Sequence, residues 1–152
     1  MDSLQVAEDG KSVYLRMDDE QEAKTAEDVF ESKQRIFNIP LAKPERMEII
    51  SNPQSDQDIY DFLLLPEKNE IIYQAVAGTG KNGIFEYELF VYHTENGSIE
   101  QLTALKEHAA SPKRGPDGKI YFLVDRNFGH GDPDYYLYQM SEDGTDITEV
   151  PW

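Results

Sequence analysis

Short aromatic and β-branched runs, each closed by a tight turn, recur along this sequence and constrain it to β-structure. The clearest is 85–93, FEYELFVYH, where Phe85, Tyr87, Leu89, Val91 and His93 alternate with a second set. Period-two alternation in this composition is strand chemistry. Asn96-Gly97 then supplies a turn into 98–103, which predicts a β-hairpin. Upstream, 70–76 (EIIYQAV) reads as another strand.

Between these strands lies AVAGTGKNG (75–83), which at first sight has the form of a phosphate-binding loop. Such a loop needs Gly-Lys followed by Ser or Thr and must open a helix, whose amides hold the phosphates. Ala75, Gly80 and Lys81 fit the spacing, but Asn82 replaces the hydroxyl and a strand follows. The stretch is therefore expected to join strand to strand without nucleotide affinity, its glycines serving positive φ.

The same order returns further on. Pro116-Asp117-Gly118 turns into a strand at 119–124, a loop runs from Asp125 to Asp134, and 135–140 forms the next strand. A turn at 142–144 leads to a last strand at 145–150. A looser copy opens the chain: Asp9-Gly10, a strand at 11–17, a polar loop, then strands at 33–39 and 45–50. The turn positions Gly10, Asn69 and Gly118 lie 59 and 49 residues apart. Four short strands in a unit of about fifty residues are the pattern of propeller blades.

Individual motifs sharpen this. Leu102-Thr103, Ser111-Pro112, the Pro-Asp-Gly-Lys run 116–119, the aromatic strand 120–124, Asp125-Arg126, the Tyr-rich strand 136–140 and Asp143-Gly144 follow one another. In that order they resemble the TolB-type β-propeller repeat. The resemblance is specific over the third unit and looser over the others. PEKNEIIYQAV (66–76) replaces the Pro-Asp-Gly turn in the second unit, IPLAKPE (39–45) stands in place of the Asp-Gly hairpin in the first, and the Pro112 to Pro116 spacing exceeds the family's.

The resemblance implies one all-β, propeller-like domain over 1–152: about three four-stranded antiparallel blades at 4–50, 59–103 and 109–150. A small β-sandwich is the alternative. Three blades alone would leave two apolar faces in water. The chain is then expected to be part of a longer propeller or to self-associate as a homo-oligomer.

Composition narrows the partners. Thirty acidic against fourteen basic residues give a formal charge of −16. That field repels nucleic-acid phosphates and anionic membranes, so neither is an expected partner; the acidity either serves only to keep the chain in solution or makes a surface complementary to a basic protein or peptide. Without cysteine there is neither a disulfide nor a thiolate metal site. The opening MDSLQVAEDG lacks the basic start and apolar core of a signal peptide, which leaves cytoplasm and envelope both open.

In a propeller, three stretches would gather on one face: Met17 to Ser32, Ala77 to Glu86, and Asp125 to Asp134. Loops on a rigid scaffold are where function concentrates. The first is acidic and has Ala23, Ala26 and Phe30 at helical spacing. The third, DRNFGHGDPDYY, is the richest, and the candidate binding residues are Asp125, Arg126, His130, Asp132, Asp134 and Tyr135. Asp125, Asn127, Asp132 and Asp134 are also hard oxygen donors suited to calcium, but the Gly and terminal Glu of an EF-hand are missing, and turn chemistry explains the same residues. No metal or cofactor is expected.

His130 has no second histidine near it in sequence; His93 falls in a strand and His108 in a connector. There is no Gly-x-Ser-x-Gly, and Ser111 precedes proline in a turn. Tyr121, Tyr135, Tyr136 and Tyr138 suit blade packing first and an aromatic binding face second. These features point to a non-enzymatic module that binds a protein or peptide through its loop face. Two alternatives stand beside it: the gating propeller of a serine-peptidase-type hydrolase, and a small acidic inhibitor or immunity-type protein.

Overall fold

A computed structural model describes residues 4–20, 23–53 and 55–151, the side chain of Phe30 excepted. Its strands form three successive antiparallel meanders, in each of which neighbours in sequence are neighbours in the sheet. The first holds β1 (Leu4–Val6), β2 (Ser12–Asp18), β3 (Gln34–Pro40) and β4 (Glu48–Ile49). The second holds β5 (Phe62–Leu65), β6 (Glu70–Thr79), β7 (Phe85–His93) and β8 (Ile99–Gln101). The third holds β9 (His108–Arg114), β10 (Ile120–Asp125), β11 (Tyr135–Met140) and β12 (Thr148–Glu149). One α-helix appears among the described residues, α1 (Ala26–Glu31). The chain divides into two compact units, Asp2–Tyr60 and Asp61–Trp152.

In the first unit, β2 and β3 pair over seven residues, from Ser12 opposite Pro40 to Asp18 opposite Gln34. Ile36 and Phe37 of β3 are buried. Buried Arg35 donates from Nη1 to the carbonyl of Gln57 (2.9 Å) and from Nη2 to that of Ser55 (2.5 Å), fixing the segment that follows β4. The acidic stretch does carry a helix, stopped at its start by a capping box. Asp28 N–H donates to Thr25 Oγ1 at 3.1 Å, and Thr25 N–H donates to Asp28 Oδ2 at 3.0 Å. Of the expected helical spacing, Ala26 lies in the helix and Ala23 before it, while the Phe30 side chain lies outside the described residues.

The second unit contains both remaining meanders and one apolar core. Leu63, Leu65, Ile72, Leu89, Val91, Ala109, Ile120, Phe122, Val124 and Met140 come together from six strands. The two meanders join through a single parallel bridge, Tyr87 opposite His108. Two buried carboxylates reinforce that junction. Glu88 of β7, 1% exposed, accepts from Thr103 Oγ1 (2.6 Å), Leu105 N–H (3.1 Å) and Lys106 N–H (2.7 Å). The last bond holds Lys106 in the left-handed region at φ 60°. Asp61, beside β5, accepts at Oδ2 from Ser111 N–H (2.8 Å) and Ser111 Oγ (3.3 Å).

The structure departs from the sequence pattern at several strands. Each meander has a first strand that the sequence pattern did not announce. β1 is three residues long, β5 is an apolar run without alternation, and β9 is interrupted by Ser-Pro. His108 thus opens a strand rather than lying in a connector. Ser111 sits in a bulge within β9 rather than in a turn, with φ 54°, where two residues oppose Phe122. Glu45 and Arg46 form a 3₁₀ turn started by Pro44, so only Glu48–Ile49 remain as strand. The last strand shrinks to Thr148–Glu149.

Replacing Glu88 with alanine strands a hydroxyl and two amides at the junction, a loss of about 3 kcal/mol in chemical denaturation. Glu88→Gln, which keeps one carbonyl oxygen in place, should lose clearly less.

Candidate functional site

The β6–β7 connection is a tight hairpin. Gly80 N–H donates to the carbonyl of Ile84 (2.8 Å) and Gly83 N–H to that of Gly80 (3.0 Å). No helix follows, and β7 begins at Phe85. Of the glycines at 78, 80 and 83 only Gly83 has positive φ, at 76°. Gly80 is instead a close approach: a Cβ there would lie 3.4 Å from the Ile84 carbonyl oxygen and 3.5 Å from the Glu86 carboxylate.

The β10–β11 loop folds around Asp125, whose Oδ1 accepts from the amides of Asn127 and Asp134, both at 2.9 Å. Asn127 Nδ2 donates to the carbonyl of Asp132 (2.8 Å) and His130 N–H to that of Asn127 (2.9 Å). Asp125 is buried, and its Oδ1 braces the loop from within. Arg126 lies across β11, its guanidinium carbon 3.7 Å above the Tyr136 ring. Its Nη2 donates to Tyr138 Oη (2.5 Å) and to Glu149 (2.9 Å), and these bonds push its pKa up.

The two connections meet. Ile84 packs on Gly129, where φ is 81° and a Cβ would come within 3.1 Å of the isoleucine. Between them opens a cleft of about 190 Å³ walled by Ile84, Phe85, Glu86, Lys106, Glu107 and Phe128. Phe85 is 53% exposed. Burial pushes the Glu107 carboxyl up, and Arg126 Nε stands 3.9 Å from its Oε2. Beneath Phe128 lies the His108 imidazole, the rings stacked at 4.1 Å.

Of the residues singled out in the sequence, Asp125, Arg126 and His130 line this cleft. Asp132 and Asp134 on the same loop, and Tyr135 at the start of β11, are exposed and lie outside the cleft. The stretch from Ala77 to Glu86 contributes Ile84, Phe85 and Glu86, whereas that from Met17 to Ser32 belongs to the other compact unit. Lys106 and Glu107 carried no signal, because only the turn closed on Glu88 brings them there. Among the described residues no three His, Asp or Glu side chains are grouped to hold a metal ion. No helix among them is long and apolar enough to cross a membrane.

Compared by sequence, the chain matches no protein-family model and no curated protein. Compared by structure, it is similar to a protein assigned as TolB from Agrobacterium tumefaciens, at 16% identity and a TM-score of 0.65, over 95% of this chain and 46% of that one. It is also similar to the tricorn protease, at 16% identity and a TM-score of 0.55, over 92% of this chain and 13% of that one. Both contain β-propellers, and the likeness supports a TolB-like propeller fold; among the described residues neither sheet closes into a barrel. It spans under half the length of the first and a small part of the second.

Asp125→Ala removes two charge-assisted bonds at once. The amides of Asn127 and Asp134 are then expected to exchange with deuterium about tenfold faster or more, with a much smaller change in the denaturation midpoint.

Proposed function

We propose that the three meanders are blades of a TolB-like propeller and that the loop end of 61–152 binds a protein or peptide. The observation that carries this is the cleft. Two connections from adjacent meanders converge there on an exposed phenylalanine flanked by charged side chains of both signs. A hollow with an apolar wall and a few placed polar groups is the usual form of a recognition site. The charge of −16 selects for a basic partner and speeds its approach, an effect that salt weakens. Asp132, Asp134 and Tyr135 would extend the surface beyond the cleft.

The likeness to the tricorn protease favours a second reading, in which the same propeller serves a peptidase as its gate. A catalytic domain elsewhere in the natural polypeptide separates the two readings.

Short random peptides displayed on phage provide the test. Selection on the immobilised chain should enrich basic peptides carrying an apolar anchor. Calorimetry should show their binding weakened about tenfold by Phe85→Ala and by added salt, and unchanged by Glu142→Ala in the β11–β12 turn, away from the cleft. Failure to enrich any peptide, or indifference of the selected peptides to Phe85, would overturn the reading.

Self-association belongs to the same proposal. If three blades are all that a particle contains, their end faces favour pairing at about 25 cal/mol per Å² of apolar surface. Light scattering coupled to size exclusion at moderate salt should then report more than the 17.4 kDa of one chain. A single-chain mass at low and moderate salt, without apolar dye binding, would count against the three-blade arc.

A further inference from the structure

His108 stands where the second and third meanders meet, opposite Tyr87 of β7 in the parallel bridge and opposite Asp125 of β10 in the antiparallel ladder. Phe128, from the loop that walls the cleft, lies almost parallel to its imidazole, with 19° between the planes. Tyr87 closes the cluster edge-on, 4.8 Å from His108 and 5.4 Å from Phe128. On another side, His108 Nε2 is 3.3 Å from Nε2 of Gln74, a side chain that is 2% exposed.

The far end of Gln74 fixes the polarity of this contact. Asp61 N–H donates to Gln74 Oε1 at 3.4 Å, so the amide nitrogen faces the histidine. An amide NH₂ only donates. His108 Nε2 must therefore accept, and its proton resides on Nδ1, which is buried without a hydrogen-bond partner among the described residues.

A second proton has no place here. On Nε2 it would set an N–H against the Gln74 NH₂. Turning the amide over only moves the conflict to the Asp61 N–H. Burial also holds the imidazole below its ordinary pKa, outweighing the attraction of Asp125 and Asp61, the carboxylates that face it from β10 and from beside β5. Of the other neighbours, Gln74 of β6, Tyr87 of β7 and Phe128 of the loop bring no charge at neutral pH, and Glu107 precedes it in the chain.

We propose that His108 is a proton-operated latch on the 126–134 loop. Neutral, it seats Phe128 and keeps the wall of the cleft in place; protonated, it leaves its position beside Gln74, and the loop loses its aromatic anchor. The sign follows from linkage. The seated loop favours neutral imidazole, so its stability is full above the ordinary histidine range, about 6.5, and is lost as pH falls below it. That the cleft then loses its ligand rests on the binding reading above; the latch itself does not.

The test is deuterium exchange of the Arg126, His130 and Asp134 amides, at about pH 7.5 and about pH 5.5, corrected for intrinsic rates. In the native chain protection should fall about three- to tenfold at the lower pH, the worth of one aromatic pair. His108→Phe keeps a flat ring under Phe128 without a titratable proton and should abolish the response, while His130→Gln should leave it intact. Should His108→Phe not fold, the native chain still decides by NMR: the His108 and Phe128 ring signals must titrate together. Unchanged protection while His108 titrates, or a response that follows His130, would overturn the latch. Because no ligand is present, a responsive loop on a chain that captures no peptide would defeat the binding reading alone.

Discussion

A buried carboxylate is tolerable only where donors surround it, and the junction between the second and third meanders is organised around two that are so supplied, Glu88 and Asp61. Glu88 gathers the chain between β8 and β9 into a turn by accepting from a hydroxyl and two amides. Asp61 reaches across fifty residues to the bulge in β9. Each satisfies donors that would otherwise be stranded where the sheet ladder is interrupted. The apolar core supplies the attraction between the meanders, but it is non-directional. The carboxylates set where β9 lies, and therefore where His108, Phe128 and the cleft lie.

This explains which parts of the molecule could be read from its residues. The middle strands, β6, β7, β10 and β11, announce themselves by alternation and aromatic content, and Asn96-Gly97 marks its turn by the chemistry such a turn needs. The first strand of each meander is short, uniformly apolar or broken by proline, because the neighbouring strand and the core decide its conformation rather than its own propensity. The same holds for the site. Asp125, Arg126 and His130 stand out in a polar, glycine-bearing loop, but the role of Asp125 as an internal brace appears only with its amide partners. Lys106 and Glu107 reach the cleft through tertiary pairing, and Glu88, inside a strand, resembles any surface acid of an acidic chain.

The charge is unevenly used. At the end of 61–152 away from the cleft, Lys68 stands 2.8 Å from Glu142 and 3.8 Å from Glu70, and Arg114 stands 3.5 Å from Glu142 and pairs also with Glu67. The bond to Glu142 pushes the Lys68 pKa up. Half-exposed pairs of this kind add about 1 kcal/mol or less apiece. Their effect is to tie the β11–β12 turn to the start of β6 and to neutralise cations there. Around the cleft, by contrast, Lys81, Lys106 and Glu86 have no ion-pair partner among the described residues.

The meander order has a consequence for how the chain reaches this state. Every ladder within a meander joins strands adjacent in sequence, so each closes a short loop at small entropic cost and can form early. The Asp61–Ser111 clasp spans fifty residues and has nothing to hold until both of its meanders exist. Folding of 61–152 should therefore run from hairpins to meanders to clasp. The last step to complete would be the one that shapes the cleft, and a newly made chain would acquire its architecture before its site.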